Sequence, residues 1–187
     1  DNSNAASDYS PYVLLVSHLA NKHGFSHALT TDATLSRACA ALEESVIPTG
    51  KANNKAKAKG SQRPNLLALY VAIKCGSRKA WLIAASERVL KQQKDISIEE
   101  RWMLALCAKL MNHEKAQQLH WEATEALKAM KQPAPFGSHY SLLPPLYIIR
   151  LLYEVETNAA AESTLKQLTQ ALTIMQRHYY SSWRNAW

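Results

Sequence analysis

Apolar side chains recur at intervals of three and four residues along almost the whole 187-residue chain, and this spacing is the feature that most limits its fold. Leu35, Cys39, Leu42 and Val46, for example, repeat at the spacing of one face of an α-helix. Alternating runs of Val, Ile and Thr, which are typical of strands, are absent. The pattern predicts an all-α fold of about eight helices, paired by short connections into antiparallel hairpins. The spacing of the hairpins is typical of a solenoid or an α/α-toroid.

Local start and stop signals place these helices. They are predicted to begin near Ser10, Asp32, Pro64, Arg78, Ser97, Glu114, Leu143 and Ala161. The clearest start is at Ser97, because Glu100 follows three positions later and the two residue types form a capping box. Gly76 is expected to end the third helix. Apolar side chains predicted to face the core include Trp81, Trp102 and Leu165.

The chain is expected to form a single helical domain over residues 1–187. Residues 49–63 hold five basic and no acidic side chains, and the net charge of the whole chain is +7. This tract has no apolar side chain larger than alanine between residues 51 and 60, so we predict a flexible basic loop. The last residues, SSWRNAW, are typical of the first turns of another helix. We therefore expect the chain to be a fragment of a larger multidomain protein.

No set of side chains in the sequence has the spacing of a catalytic or metal site. The carboxylate pairs Glu43-Glu44, Glu99-Glu100 and Glu154/Glu156 lie near helix ends or polar faces, where we expect solvated charge. Glycine-rich phosphate loops and a Gly-x-Ser-x-Gly elbow are absent. We therefore expect neither catalysis nor a cofactor.

Histidines and cysteines are the remaining candidates for metal ligands. His18, His23 and His27 lie close in sequence, but no Cys, Asp or Glu joins them, and we interpret them as surface and loop residues. His113 and His120 lack a third ligand. The three cysteines, Cys39, Cys75 and Cys107, lie far apart within apolar helical patterns, so we predict buried free thiols.

One tryptophan and the basic loop form the candidate partner surface. Trp121 lies beside the apolar stripe of its helix, where an aromatic side chain is typical of a contact surface. The candidate residues of this surface are Trp121, Lys51, Lys55, Lys57 and Lys59. The basic loop lacks interleaved aromatic residues, so we do not expect nucleic acid to be the partner. An RNA-binding helical repeat would require salt-sensitive binding through these lysines.

Several segments, taken in order, resemble the helical region of bacterial alpha-2-macroglobulins. The first is YSPYVLLVSHLANKHGF (9–25), which is followed by LSRACAAL (35–42). NLLALYVAIKCG (65–76) and ERWMLALCAKLMNHEKA (100–116) are similar to the next helix and hairpin of that region. RHYYSSWRNAW (177–187) resembles the turn that opens the following helix.

The resemblance implies an α/α-toroid domain of a large periplasmic protein that traps proteases and is often lipid-anchored to the inner membrane. Its partners would be proteases, other domains of the parent protein and cell-envelope proteins. The Cys-x-Glu-Gln thioester motif of active members is missing after Cys39, Cys75 and Cys107 alike. The resemblance therefore assigns no catalytic residue to this chain.

A different reading of the same helices is a helical-repeat adaptor or chaperone that binds a protein partner in a concave groove. No tetratricopeptide consensus recurs, so this alternative depends on the hairpin pattern alone. The sequence has no apolar stretch long enough to span a membrane.

Overall fold

The computed structural model describes residues 32–47, 63–93, 95–129, 143, 146–157, 162–171 and 173. Six helices have complete bounds: α1 (Asp32–Val46), α2 (Leu66–Lys74), α3 (Trp81–Lys91), α4 (Ile98–Leu110), α5 (Ala116–Ala129) and α6 (Leu146–Thr157). A seventh helix, α7, covers residues 162–171. No strand occurs among the described residues, and the predicted all-α class is confirmed. The toroid or solenoid arrangement stays a prediction, and the predicted first helix and residues 49–62 of the basic loop lie outside the described residues.

The helix ends follow the local signals in the sequence. Ser97 Oγ accepts a hydrogen bond from the Glu100 N–H at 3.2 Å, and the Ser97 N–H donates to Glu100 Oε2 at 2.8 Å, which completes the predicted capping box of α4. Gly76 has φ +97° just after α2. The Ser77 N–H donates to the carbonyl of Ala72 at 2.9 Å across this glycine, as in a Schellman motif. Asn112, with φ +51°, follows α4 in the same way.

Helix α4 lies at the centre of the packing. It contacts α2, α3, α5 and α6. Every side chain from residue 102 to residue 108 is buried, so the helix has no solvent-facing side over this stretch. Trp102, which the sequence predicts to face the core, is among these buried side chains. Neighbours on several sides bury a helix all round, and the sequence LALCA between Met103 and Lys109 is apolar enough for this.

The buried face of α3 differs from the predicted one. Trp81 was expected in the core, but 59% of it is exposed. The buried residues of this helix are Leu82, Ile83, Ser86, Glu87 and Leu90. This face is rotated by roughly 100°, about one residue position, from the predicted stripe. The rotation removes Trp81 from the core and brings the polar Ser86 and Glu87 into it.

A second, smaller core joins α6 to α7. Ile148, Leu168 and Ala171 are its buried members. Leu165 was predicted to be buried, but it is 47% exposed on α7. Leu168 and Ala171 lie three positions apart and define the buried side of this helix, so Leu165 lies at the margin of the contact with α6.

Candidate functional site

Trp121 lies on the outer side of α5 with 63% of its surface exposed. The inner side of the same helix is defined by Leu119 and Ala123, which are buried. A polar surface surrounds the tryptophan, since Gln118 Nε2 donates to Glu122 Oε1 at 2.8 Å along this face. An indole ring that is held on a rigid helix among polar side chains is suited to contact with another protein. The lysines of the candidate partner surface, residues 51, 55, 57 and 59, lie outside the described residues.

A buried carboxylate joins α3 to the start of α5. Glu87 is only 4% exposed, and its carboxylate forms ion pairs with Lys91 at 2.5 Å and with Lys115 at 3.2 Å. Burial raises the pKa of Glu87, but hydrogen bonds and charge from the two lysines outweigh burial and lower the pKa below its ordinary value. The carboxylate therefore stays ionised near neutral pH. Its ion pair with Lys115 holds α3 against the start of α5.

A second carboxylate joins α6 to α2. Lys74 Nζ donates to both oxygens of Glu156 at 2.8 Å, and the Tyr70 hydroxyl donates to Glu156 Oε1 at 3.1 Å. Burial, together with the adjacent carboxylate, raises the pKa of Tyr70. The tyrosine is therefore a permanent hydrogen-bond donor at neutral pH, and the three groups hold the two helices together.

The third paired carboxylate, Glu100, is buried and belongs to the capping box of α4. Arg63 Nη1 lies 3.0 Å from both oxygens of Glu100, and its Nη2 donates to the Asp95 carbonyl at 2.6 Å. Glu100 is therefore both the helix cap and the attachment point for the segment that precedes α2. The predicted capping role is confirmed, and the ion pair with Arg63 adds a tertiary contact to it.

The expectation of solvated carboxylate pairs was wrong for one member of each pair. Glu100 is buried and Glu156 is ion-paired, as described above. Glu43 forms an ion pair with Lys79, whereas its neighbour Glu44 is exposed. Burial acts to raise the pKa of Glu43, but hydrogen bonds and the charge of Lys79 hold it below the ordinary value. Sequence reasoning missed these pairs because their cationic partners lie on other helices or loops.

Three aromatic side chains meet where α4, α5 and α6 join. The rings of His120 and Tyr153 stack with centroids 4.5 Å apart and 7° between their planes. Trp102 meets both rings edge to face, at 5.2 Å from His120 and 5.7 Å from Tyr153. The guanidinium of Arg150 lies 5.7 Å from the centroid of the Trp102 ring. The predicted core role of Trp102 is confirmed, since it is 6% exposed.

The aromatic cluster predicts a pH dependence of stability. Burial, and then the charge of Lys109, lower the pKa of His120 below its ordinary 6.5. The unfolded chain therefore binds a proton at this histidine more readily than the folded chain, and the free energy of unfolding falls as the pH drops below about 6.5. Urea denaturation between about pH 7.5 and about pH 5.5 measures this fall.

The matched variant is His120→Phe, which keeps a flat ring against Tyr153 and removes the titration. We expect the fall in stability over this pH range to be smaller in the variant than in the original chain. An equal fall in both proteins would show that protonation of His120 does not oppose folding. Glu43 and Glu87 do not obscure the result, because their lowered pKa values affect stability only below about pH 4.5.

The cysteines differ from one another in burial. Cys107 is buried within α4, as predicted. Cys39 and Cys75 are only half-buried, so the prediction of three buried thiols was wrong for these two. Burial, and then a hydrogen bond and charge from the Cys39 side chain, raise the pKa of Cys75 to about 12. Sequence spacing did not suggest that these two residues affect each other, because they are 36 positions apart.

A small open cleft runs between α3, α4 and α5. Its lining includes both apolar side chains, such as Leu90, Leu104 and Leu119, and charged ones, such as Glu87 and Arg101. Within the described parts of the chain, no group of three or more His, Cys, Asp or Glu side chains is arranged to hold a metal ion. His18, His23 and His27 lie outside those parts. The described geometry joins helices through ion pairs and aromatic contacts, and it offers an exposed tryptophan on the surface.

No protein-family model, curated protein or solved structure matches the chain. None of the helices in the described segments is both long enough and apolar enough to cross a membrane.

Proposed function

We propose that this chain is a helical domain of a bacterial alpha-2-macroglobulin-like protein that traps proteases in the periplasm. Its role in that protein is structural, and it carries no catalytic residue of its own. The domain presents a surface that rearranges when a protease cuts a bait region elsewhere in the parent protein. The partners are proteases, the other domains of the parent and proteins of the cell envelope.

The ordered series of resembling segments carries this proposal. Three of them lie within described residues: 35–42 lies in α1, 65–76 spans α2 and its glycine end, and 100–116 spans α4 and the turn into α5. The side chains that join these helices are consistent with a scaffold. Each of the buried or half-buried carboxylates of Glu87, Glu100 and Glu156 is paired with a lysine or arginine from another helix or segment.

The test compares two substrates of one protease. A full-length protein that contains this chain is mixed with a trypsin-like protease, and cleavage of casein and of a short chromogenic peptide is followed. A trap encloses the protease and leaves its active site open. We therefore expect casein cleavage to fall about tenfold, with most of the peptide cleavage retained.

Two results would count against the trap. Equal loss of casein and peptide cleavage would indicate an inhibitor that blocks the active site. If neither activity is lost with trypsin-like, chymotrypsin-like and elastase-like proteases, the proposal of protease trapping is wrong. As a control, the full-length protein is first cut in its bait region by a protease that is then inactivated. This spent protein should no longer protect casein.

The exposure of Trp121 favours a second candidate, a helical-repeat adaptor that binds a protein partner. Tryptophan is enriched among the residues that dominate protein–protein affinity, and 63% of this side chain is open to solvent. The adaptor requires chain 1–187 alone to bind its partner and to lose affinity in Trp121→Ala. The scaffold proposal requires the isolated chain to bind no protease.

A further inference from the structure

Helices α1 and α2 pack side by side. The N–H of Asn65, the residue before α2, donates to the carbonyl of Val46, the last residue of α1, at 2.9 Å. The start of α2 therefore lies at the end of α1. Because α2 packs along α1 from that point, the two helices run in opposite directions. Cys75 follows the last helical residue of α2. Cys39 lies seven positions before Val46 and Cys75 ten positions after Asn65, so this packing brings both cysteines to the same end of the contact between α1 and α2.

An ion pair supports the same placement independently of the thiols. Glu43 lies one helical turn after Cys39 on the same face of α1. Its carboxylate pairs with Lys79, which is four positions beyond Cys75. The chain turns at Gly76 after α2, so Lys79 lies beside α1 one turn beyond the level of Cys39. The ion pair therefore holds the segment that follows α2 against the part of α1 that contains Cys39.

We propose that Cys39 and Cys75 form an intramolecular disulfide that crosslinks α1 to the end of α2. Both thiols are half-buried, which leaves them open to a small oxidant while their neighbours hold them in place. Cys107 takes no part, because it is buried within α4. The crosslink does not depend on the proposed function, although an oxidising periplasm is a compartment in which such bonds form and persist.

The oxidant is a small disulfide such as oxidised glutathione. The Cys39 thiolate attacks one sulfur of the oxidant, which breaks its S–S bond, forms a mixed disulfide and releases one glutathione thiolate. The Cys75 thiol then loses its proton to solvent and attacks Cys39 Sγ, which releases the second glutathione. Two thiols are oxidised to one disulfide and the oxidant is reduced to two thiols. Burial and the adjacent Cys39 thiol raise the pKa of Cys75, so the second step should be faster at alkaline pH.

The crosslink restricts the unfolded chain. It joins residues 36 positions apart, and the enclosed segment contains the whole basic loop, residues 49–63, that the sequence predicts. Closing a loop of this length removes conformational freedom mainly from the unfolded ensemble. We expect the oxidised chain to melt about 5–10 °C above the reduced chain.

The experiment treats the purified 187-residue chain with oxidised glutathione at mildly alkaline pH. The remaining thiols are then alkylated with iodoacetamide under denaturing conditions, and the intact mass and tryptic peptides are measured. We expect one of the three cysteines to be alkylated, and the peptides that contain Cys39 and Cys75 to be joined. Reduction with dithiothreitol should restore alkylation of all three and reverse the rise in melting temperature.

Matched variants separate this pair from a general oxidation of thiols. Cys39→Ala and Cys75→Ala should each leave one thiol of the pair. That thiol should retain glutathione as a mixed disulfide, and the melting temperature should not rise. Cys107→Ala should still form the crosslink. Alkylation of all three cysteines in the original chain after oxidation would overturn the proposal. A crosslinked peptide that contains Cys107, or a wild-type chain that stops at the glutathione adduct, would overturn it equally, and none of these readouts requires a variant to fold.

Discussion

Replacing Leu106 with alanine is expected to lower the free energy of unfolding by about 3 kcal/mol. Leu106 lies in the middle of α4 and is fully buried. The substitution removes one methine and two methyl groups from a site that is enclosed by neighbouring helices. These neighbours pack against other parts of the core as well, so they fill the space only in part. Urea denaturation followed by far-UV circular dichroism measures the change.

Leu165→Ala is the matched control for this substitution. It makes the same chemical change on a helix, but Leu165 is 47% exposed, so little apolar surface returns to water. We expect a loss of less than about 0.5 kcal/mol. If the two variants lose the same stability, then α4 is not the enclosed central helix described above.

The second large effect is expected for Glu100→Ala. This change removes both hydrogen bonds to Arg63 Nη1 and the one from the Ser97 N–H. It also leaves the Arg63 guanidinium without its carboxylate. Since about a third of the Arg63 side chain is exposed, water replaces part of the lost interaction. We expect the free energy of unfolding to fall by about 2 kcal/mol.

Glu99→Ala is the control for this second substitution. Glu99 also lies in the first turn of α4, so both changes remove one negative charge from the same helix N-terminus. The difference between the two variants therefore measures the ion pair and the cap of Glu100. It should be about 1–2 kcal/mol in urea denaturation, and a difference near zero would mean that the Arg63 contact adds nothing to stability.

Features that depend on neighbours in the sequence were predictable. The Ser97 capping box, the turn at Gly76 and the bounds of α1 each follow from residue types within a few positions of one another. The exposure of Trp121 agrees with its place beside the stripe of α5. In these cases the local preference and the tertiary structure favour the same conformation.

Features that depend on distant residues were not predictable. Glu87 is charged, so the sequence alone would place it in water. In the folded chain it is buried and pairs with Lys115, which lies 28 positions later. The same face of α3 that holds Glu87 is buried, and Trp81 lies on the surface. Similarly, nothing local brings His120 against Tyr153 or Glu43 against Lys79. The regular spacing of apolar residues indicates that a helix has a buried face. The neighbouring helices decide which residues form that face.

The position of α4 determines how this chain can be divided for experiments. Helices α2 and α3 precede it in the sequence, and α5 and α6 follow it, yet all four pack against it. A cut at residues 92–97 would therefore leave the second piece with uncovered apolar surface on α4 and the first piece without the helix on which α2 and α3 rest. Shortened versions that begin or end at this connection should aggregate when produced separately, and a useful truncation has to keep 63–157 together.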